Sequence, residues 1–157
     1  MGRITVTSDG MNVTGLYFDG QRGFTGVDCA NPEAAIPDIL AKTWDWLDGY
    51  FTGCNPGTIP CLYTNGTAFQ ERVWHILREI PCGKVVTYGA IARTLSVSAQ
   101  AVGGAVGRNP ISILIPCHRV VGADGGLTGY AGGLARKQQL LSLEGIPVAG
   151  DRVIFTW

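Results

Sequence analysis

From Thr52 to Gly66 the chain carries no hydrophobic period, and Pro56, Gly57, Pro60, Asn65 and Gly66 punctuate it as a linker. The patterns on its two sides differ in kind. Before it, residues 3–8 and 12–18 alternate like strands around Asp9-Gly10, a hairpin turn signal, and 22–28 add a possible third strand. Ile36, Ile39, Leu40, Trp44, Leu47 and Phe51 then recur at helical spacing between Glu33 and Phe51. After the linker, Thr67-Ala68-Phe69-Gln70 is a capping-box pattern, and Phe69, Val73, Ile76, Leu77 and Ile80 form one stripe that stops before Pro81. The expectation is an α+β chain: a small amino-terminal sheet plus helix over residues 1–64, then a mainly helical unit over 65–157.

The second unit continues with a short strand at Val85-Val86-Thr87, a helix from Tyr88 to Leu95, a turn at Ser96-Val97 and a helix from Ser98. Two short helices around a tight turn fit a helix-turn-helix of winged-helix type. The second of them contains Ala101, Gly103, Gly104, Ala105 and Gly107. Each interior glycine costs a helix about 1 kcal/mol against alanine, so close approach of its backbone to another surface must compensate. That surface is either a neighbouring helix or a nucleic-acid groove. After Asn109-Pro110, the apolar run Ile111–Ile115 reads as a buried strand leading into Pro116-Cys117-His118.

Hydrophobic content of 46% and charged content of 15% fit a folded chain. No apolar run reaches membrane-spanning length, and the start lacks a signal-peptide core, so a cytoplasmic protein is expected. The net charge of zero hides a division: residues 1–64 carry three basic against seven acidic side chains, residues 65–157 nine against five. A basic half suits a polyanionic partner, although ordinary solvated surface has the same look. Cys29, Cys54, Cys61, Cys82 and Cys117 do not suggest a disulfide framework in such a compartment. Neither they nor His75 and His118 show zinc-ligand spacing, so no structural metal is expected.

Cys117 beside His118 is the one pairing with chemical potential. A free thiol, with a pKa near 8.5, is mostly protonated at neutral pH, and an oriented histidine base relieves that. Neighbours on a strand point to opposite faces, but a turn could bring the two together through one water. Glu144, in Ser142-Leu143-Glu144-Gly145, is the candidate orienter: a carboxylate at a helix carboxyl end opposes the dipole and needs another reason to be there. A Cys-His pair alone remains compatible with no catalysis at all.

The run Asn109-Pro110-Ile111-Ser112-Ile113-Leu114-Ile115-Pro116-Cys117-His118-Arg119-Val120-Val121 resembles the active-site signature of the O6-alkylguanine-DNA alkyltransferases, or methylated-DNA–protein-cysteine methyltransferases. The likeness extends over residues 67–145, taking in Ile80–Val85, Thr128–Leu134 and Leu143-Glu144-Gly145, and thins out in the amino-terminal unit. It implies irreversible, single-turnover transfer of an alkyl group from O6-alkylguanine, or O4-alkylthymine, in DNA to Cys117. His118 and Glu144 would activate the thiol, Tyr88 would donate a hydrogen bond or proton to the leaving base, and Asn109 would hold the turn before the active-site segment. Tyr130, Ala131, Val120 and Pro116 would line the base pocket. Gln100, Ala101, Gly103, Gly104 and Ala105 would enter the minor groove, with Arg93, Arg108 and Arg119 as phosphate contacts by charge. The target atom is inaccessible within the stack, so the base would be flipped out. The implied partner is double- or single-stranded DNA carrying an alkylated guanine, met by a monomer that needs no cofactor. Gln100 departs from the family, which usually has arginine there, and predicts weaker duplex binding. The alternatives are a non-catalytic lesion-binding or regulatory module, and a cysteine hydrolase, for which no oxyanion hole is legible.

Overall fold

The computed structural model describes residues 1–22, 24, 26, 35–53 and 56–154. Strands β1 (Ile4–Ser8) and β2 (Val13–Phe18) form the expected antiparallel hairpin, in which Ile4 faces Phe18 and Val6 faces Leu16. Asp9 Oδ1 accepts from the backbone N–H of Met11 and Asn12, and Gly10 takes the positive φ of 97° that the turn requires. The possible third strand at 22–28 lies mostly outside the described residues.

Helix α1 (Asp38–Phe51) is capped by Pro37; residues 35–37 are not helical, and Glu33, where the helical spacing in the sequence begins, lies outside the described residues. Its buried face is Ile39, Thr43, Trp46, Leu47 and Tyr50, while Ile36 and Trp44 are exposed. The stripe read from sequence is therefore rotated. Thr43 is tolerated inside because its hydroxyl donates to Ile39 O at 2.6 Å, and Trp46 and Tyr50 stack with centroids 5.4 Å apart.

Helix α2 (Ala68–Arg78) has the capping box: Gln70 N donates to Thr67 Oγ1 and Thr67 N to Gln70 Oε1. Val73, Trp74 and Leu77 are buried, and Trp74 Nε1 donates to Ala105 O at 2.9 Å, tying this helix to α4 (Ala99–Val106). His75 is exposed. Strand β3 (Val86–Thr87) leads into α3 (Tyr88–Leu95), and Ser96 (φ 55°), Val97 and Ser98 separate α3 from α4. Thr87 and Ser98 cap the two helices by accepting from Ala90 N and Ala101 N. β3 pairs in parallel with β4 (Val120–Val121).

The apolar run 111–115 is not a strand. Ile111 makes one parallel bridge to Leu16 of β2, and the chain then turns on itself. Leu114 N donates to Ser112 O around Ile113 at φ 68°, a γ-turn that is strained for a β-branched residue. Alternation cannot reveal such a turn, because every residue of the run is buried.

Helix α5 (Leu134–Leu143) precedes a terminal hairpin of β5 (Val148–Ala149) and β6 (Arg152–Val153). Val153 packs with Val121, Leu127, Leu141 and Ile146 in a small cluster. Residues 155–157 lie outside the described residues. The two units share one main core: Val13, Leu16 and Phe18 of the hairpin and Ile39, Trp46 and Tyr50 of α1 join Val73, Leu77, Val102, Ile111 and Leu114. Among the described residues no helix is long and apolar enough to cross a membrane.

Candidate active site

Two successive tight turns deliver Cys117. After the γ-turn at Ile113, Ile115 N donates to Ile111 O, and Cys117 N donates to Ile115 O around Pro116 (φ −79°, ψ 63°), an inverse γ-turn. Proline holds the φ that this turn needs. Cys117–Arg119 then form a single 3₁₀ turn before β4. Asn109 holds the whole segment: its Nδ2 donates to Ile115 O at 2.8 Å and to Cys117 Sγ at 3.1 Å, and its Oδ1 accepts from Ile111 N.

Cys117 is 4% exposed. Burial pushes its thiol pKa up, while the Asn109 hydrogen bond and the positive charge of Lys137 pull it back. At rest the sulfur is a shielded thiol. His118, fully buried, is held neutral: burial lowers its pKa against the opposing pull of Glu144.

Glu144 sits at the carboxyl end of α5 with its side chain only 1% exposed. Its Oε1 meets His118 Nε2 at 2.8 Å and accepts from Arg119 Nη2 at 2.7 Å, and its Oε2 accepts from Arg119 Nε at 2.8 Å. Burial alone would raise this carboxyl, but the hydrogen bonds and charges of His118 and Arg119 outweigh it and hold the pKa at about 2. The carboxylate can only accept, so neutral His118 carries its proton on Nε2. Nδ1 is then the basic nitrogen; it is buried and has no hydrogen-bond partner among the described residues.

A cleft of about 660 Å³ opens in this region, lined among others by Tyr88, Gly103, Gly107, Thr128, Tyr130 and Ala131. Tyr88 and Tyr130 both have raised pKa values because they are buried, so both are hydroxyls at neutral pH. Pro116 and Val120, expected in the pocket wall, are buried and do not line it.

Along α4, Gln100 and Ala101 are exposed, as are Arg93 and Arg108. A Cβ added at Gly103 would meet nothing closer than the Tyr88 ring at 4.0 Å, and one at Gly104 only an Arg108 nitrogen at 3.4 Å. Among the described residues no neighbouring helix requires these two glycines. Ala105 differs: it is buried against the core, and its carbonyl is taken by Trp74, so it does not belong to the exposed face. Arg119 is a second correction. Charge alone placed it among phosphate contacts, but its guanidinium is buried against Glu144 and also donates to Ile80 O.

A family model described as the DNA-binding domain of 6-O-methylguanine DNA methyltransferase matches residues 68–146. The methylated-DNA–protein-cysteine methyltransferase of Haemophilus influenzae is 42% identical over 155 residues, covering 94% of this chain and 83% of that protein. That of Methanosarcina acetivorans is 50% identical over 131 residues, covering 82% and 84%. A crystal structure of Mycobacterium tuberculosis OGT in complex with DNA superposes with a TM-score of 0.77 at 40% identity, over 90% of this chain and 85% of that one. The chain belongs to the methylated-DNA–protein-cysteine methyltransferases. This is a family of DNA-repair methyltransferases, and the α+β architecture is theirs.

Two side chains packed around the Cys117, His118 and Glu144 group escaped the sequence reading. Lys137 of α5 is fully buried, donates to Val120 O at 2.6 Å and Thr128 O at 3.0 Å, and has its pKa lowered to about 8 by burial. A lone lysine in a helix looks like surface; only the neutral stripe around it, Leu140 and Leu141 on the same face, hints otherwise. Tyr50 of α1 donates to Glu144 Oε1 at 2.7 Å from 94 residues away in sequence. Among the described residues no three of His, Cys, Asp and Glu are grouped as metal ligands, and Cys29 and Cys54 lie outside them.

Proposed function

We propose that this chain repairs DNA by moving the alkyl group of O6-alkylguanine onto Cys117, once per molecule. The observation that carries the reading is the buried thiol beside a histidine whose Nε2 is committed to Glu144 and whose Nδ1 is free to accept. Cys117 Sγ attacks the alkyl carbon, the carbon–O6 bond breaks, and its electron pair stays on the guanine. The thiol proton passes to His118 Nδ1, through a water in between, and Glu144 stabilises the imidazolium. Tyr88 donates to the base as negative charge builds on it, and Tyr130 and Ala131 bound the pocket. The thioether is stable, so the cysteine is consumed and no cofactor takes part.

The resting thiol fits this scheme. An exposed thiolate would react with any electrophile, whereas a buried thiol becomes a nucleophile only when a base and a substrate are both in place. The guanine must leave the duplex to reach the cleft, and α3 and α4 are the elements to hold it there as a helix-turn-helix in the minor groove. The open space at Gly103 and Gly104 supports that assignment: helix-weakening residues without an internal packing reason suit an external surface. Such a monomer would also accept single-stranded DNA and O4-alkylthymine.

Incubation with an oligonucleotide containing O6-methylguanine, followed by intact and peptide mass measurement, tests the reading. One added methyl group on the Cys117 peptide is expected, absent in Cys117→Ala and never exceeding one per molecule. Unmodified protein that still binds the lesion would instead indicate a recognition module, and repeated turnover a hydrolase.

A further inference from the structure

Glu144 Oε1 is crowded. It accepts from Arg119 Nη2 at 2.7 Å, from Tyr50 Oη at 2.7 Å and from His118 Nε2 at 2.8 Å, while Oε2 takes Arg119 Nε at 2.8 Å and Gly83 N at 3.4 Å. An ionised carboxylate oxygen offers about two lone-pair directions, so three donors on one oxygen compete, and each weakens the hold of the others. Two of these donors belong to the segment that also carries Cys117. The third comes from α1, outside residues 68–146 that the family model matches.

We infer that Tyr50 is a positioning residue of the Cys117 relay, a hydroxyl supplied by the amino-terminal unit that moderates how strongly Glu144 holds the His118 Nε2 proton. The inference rests on the relay proposed above and assigns the amino-terminal unit a part in it. Tyr50 is built for a permanent donor. It is 5% exposed, stacks on Trp46 at an interplanar angle of 10°, and packs edge-on against Phe51 at 71°. Burial, and after it the adjacent Glu144 charge, push the pKa of its hydroxyl well above the ordinary tyrosine value, so at neutral pH it is a donor. The other titratable and charged groups facing His118 and Glu144 are Arg119 and Cys117 beside them, Lys137 from α5 and Cys82 from the loop after α2. None of these is a second neutral donor to Oε1.

The sign follows from the competition. Without the Tyr50 hydroxyl, Glu144 leans harder on His118, which favours the imidazolium and makes His118 easier to protonate. His118 must be neutral to accept the thiol proton, so the acid limb of the transfer rate should move to higher pH.

The test is Tyr50→Phe in the full chain, which keeps the ring stack and removes the hydroxyl. Two readouts are needed: the NMR resonance of the His118 Nε2 proton in the free protein, and the single-turnover rate of methyl transfer against pH. The Nε2 proton should move downfield as its bond to Glu144 strengthens, and the acid limb should rise by about half to one pH unit. Ile39→Val, a packing change on the same helix, should lower thermal stability and leave both readouts alone. An unmoved resonance and limb in Tyr50→Phe, a shift of either in the opposite direction, or equal shifts in Ile39→Val would overturn the inference. Absence of methyl transfer in the unaltered protein would remove the relay reading instead, and the resonance would still decide whether Tyr50 acts on His118.

Discussion

Around Glu144 the hydrogen-bonding positions of the carboxylate are all used, by donors from α1, the loop after α2 and the 3₁₀ turn. Along the exposed side of α4 the opposite holds: among the described residues, the space at Gly103 and Gly104 is bordered only by the Tyr88 ring at 4.0 Å and an Arg108 nitrogen at 3.4 Å. One region is over-determined and buried, the other is stripped to its backbone. The contrast separates two tasks. Proton movement needs groups fixed in one geometry with known charge, whereas contact with a large partner needs a surface kept clear. Changes in the first region should therefore harm stability and chemistry together, and changes in the second should separate them.

The largest effect is expected at Glu144→Gln. The amide would set an N–H donor against those of Arg119, leaving a buried guanidinium without its anion, a change of about 3–5 kcal/mol in unfolding free energy. Loss of the His118 orienter should also slow transfer on the order of 100-fold. Denaturant unfolding at several pH values sharpens the test. The folded carboxyl, held at about 2 against an ordinary 4.5, contributes stability that is present above 4.5 and lost as pH falls toward 2. That slope should flatten in Glu144→Gln; an unchanged slope would mean that another group carries it.

Lys137→Met comes next. Its removal frees two carbonyls, Val120 O and Thr128 O, and deletes the positive charge that favours the Cys117 thiolate. The thiol pKa should rise and transfer should slow about 10-fold, following the usual worth of a charge near a buried thiol. Alkylation of Cys117 by a small electrophile across pH measures the first effect without any DNA. A thiol pKa that stays put would assign Lys137 a purely structural part.

The same division decides what could be read from sequence. The hairpin, α2 and its capping box, α3 and α4 were legible because each is set by local chemistry: a turn at Asp9-Gly10, Thr67 with Gln70, caps at Thr87 and Ser98. The stripped helix was legible too, since glycine is visible as composition. The proposed relay was legible in part: Cys117, His118 and Glu144 stood out by thiol chemistry and by a carboxylate set against a helix dipole, and the resemblance gave them their roles. Its remaining members, Tyr50, Lys137 and the inward Arg119, depend on contacts across the fold that no period or spacing encodes. The γ-turns at Ile113 and Pro116 were hidden for a related reason, because a fully buried run looks like a strand whatever its backbone does.

At Gly103 the two tasks can be pulled apart directly. Alanine there meets only the Tyr88 ring at 4.0 Å, so Gly103→Ala should stabilise the free protein by up to about 1 kcal/mol through helix propensity. If the backbone of α4 lies close to DNA, the added methyl should weaken duplex binding severalfold at the same time. Thermal unfolding and fluorescence-anisotropy titration read the two effects separately. A gain in both would place the partner elsewhere.

The smallest effect should come from Gln100, on the same exposed face. Glutamine can hydrogen-bond an unpaired base, but it is shorter than arginine and brings no charge, so under the proposed base flipping it would hold the vacated gap less firmly. Gln100→Arg should tighten duplex binding about 3- to 10-fold, and because the gain includes a new cation against a polyanion, it should shrink as salt is raised. The side chain touches nothing in the relay, so the thiol pKa of Cys117 and the unfolding midpoint should not move. Tighter binding with an unchanged relay would extend the separation seen between the two regions to a single substitution, whereas a loss of affinity would mean that the exposed end of α4 does not enter the duplex.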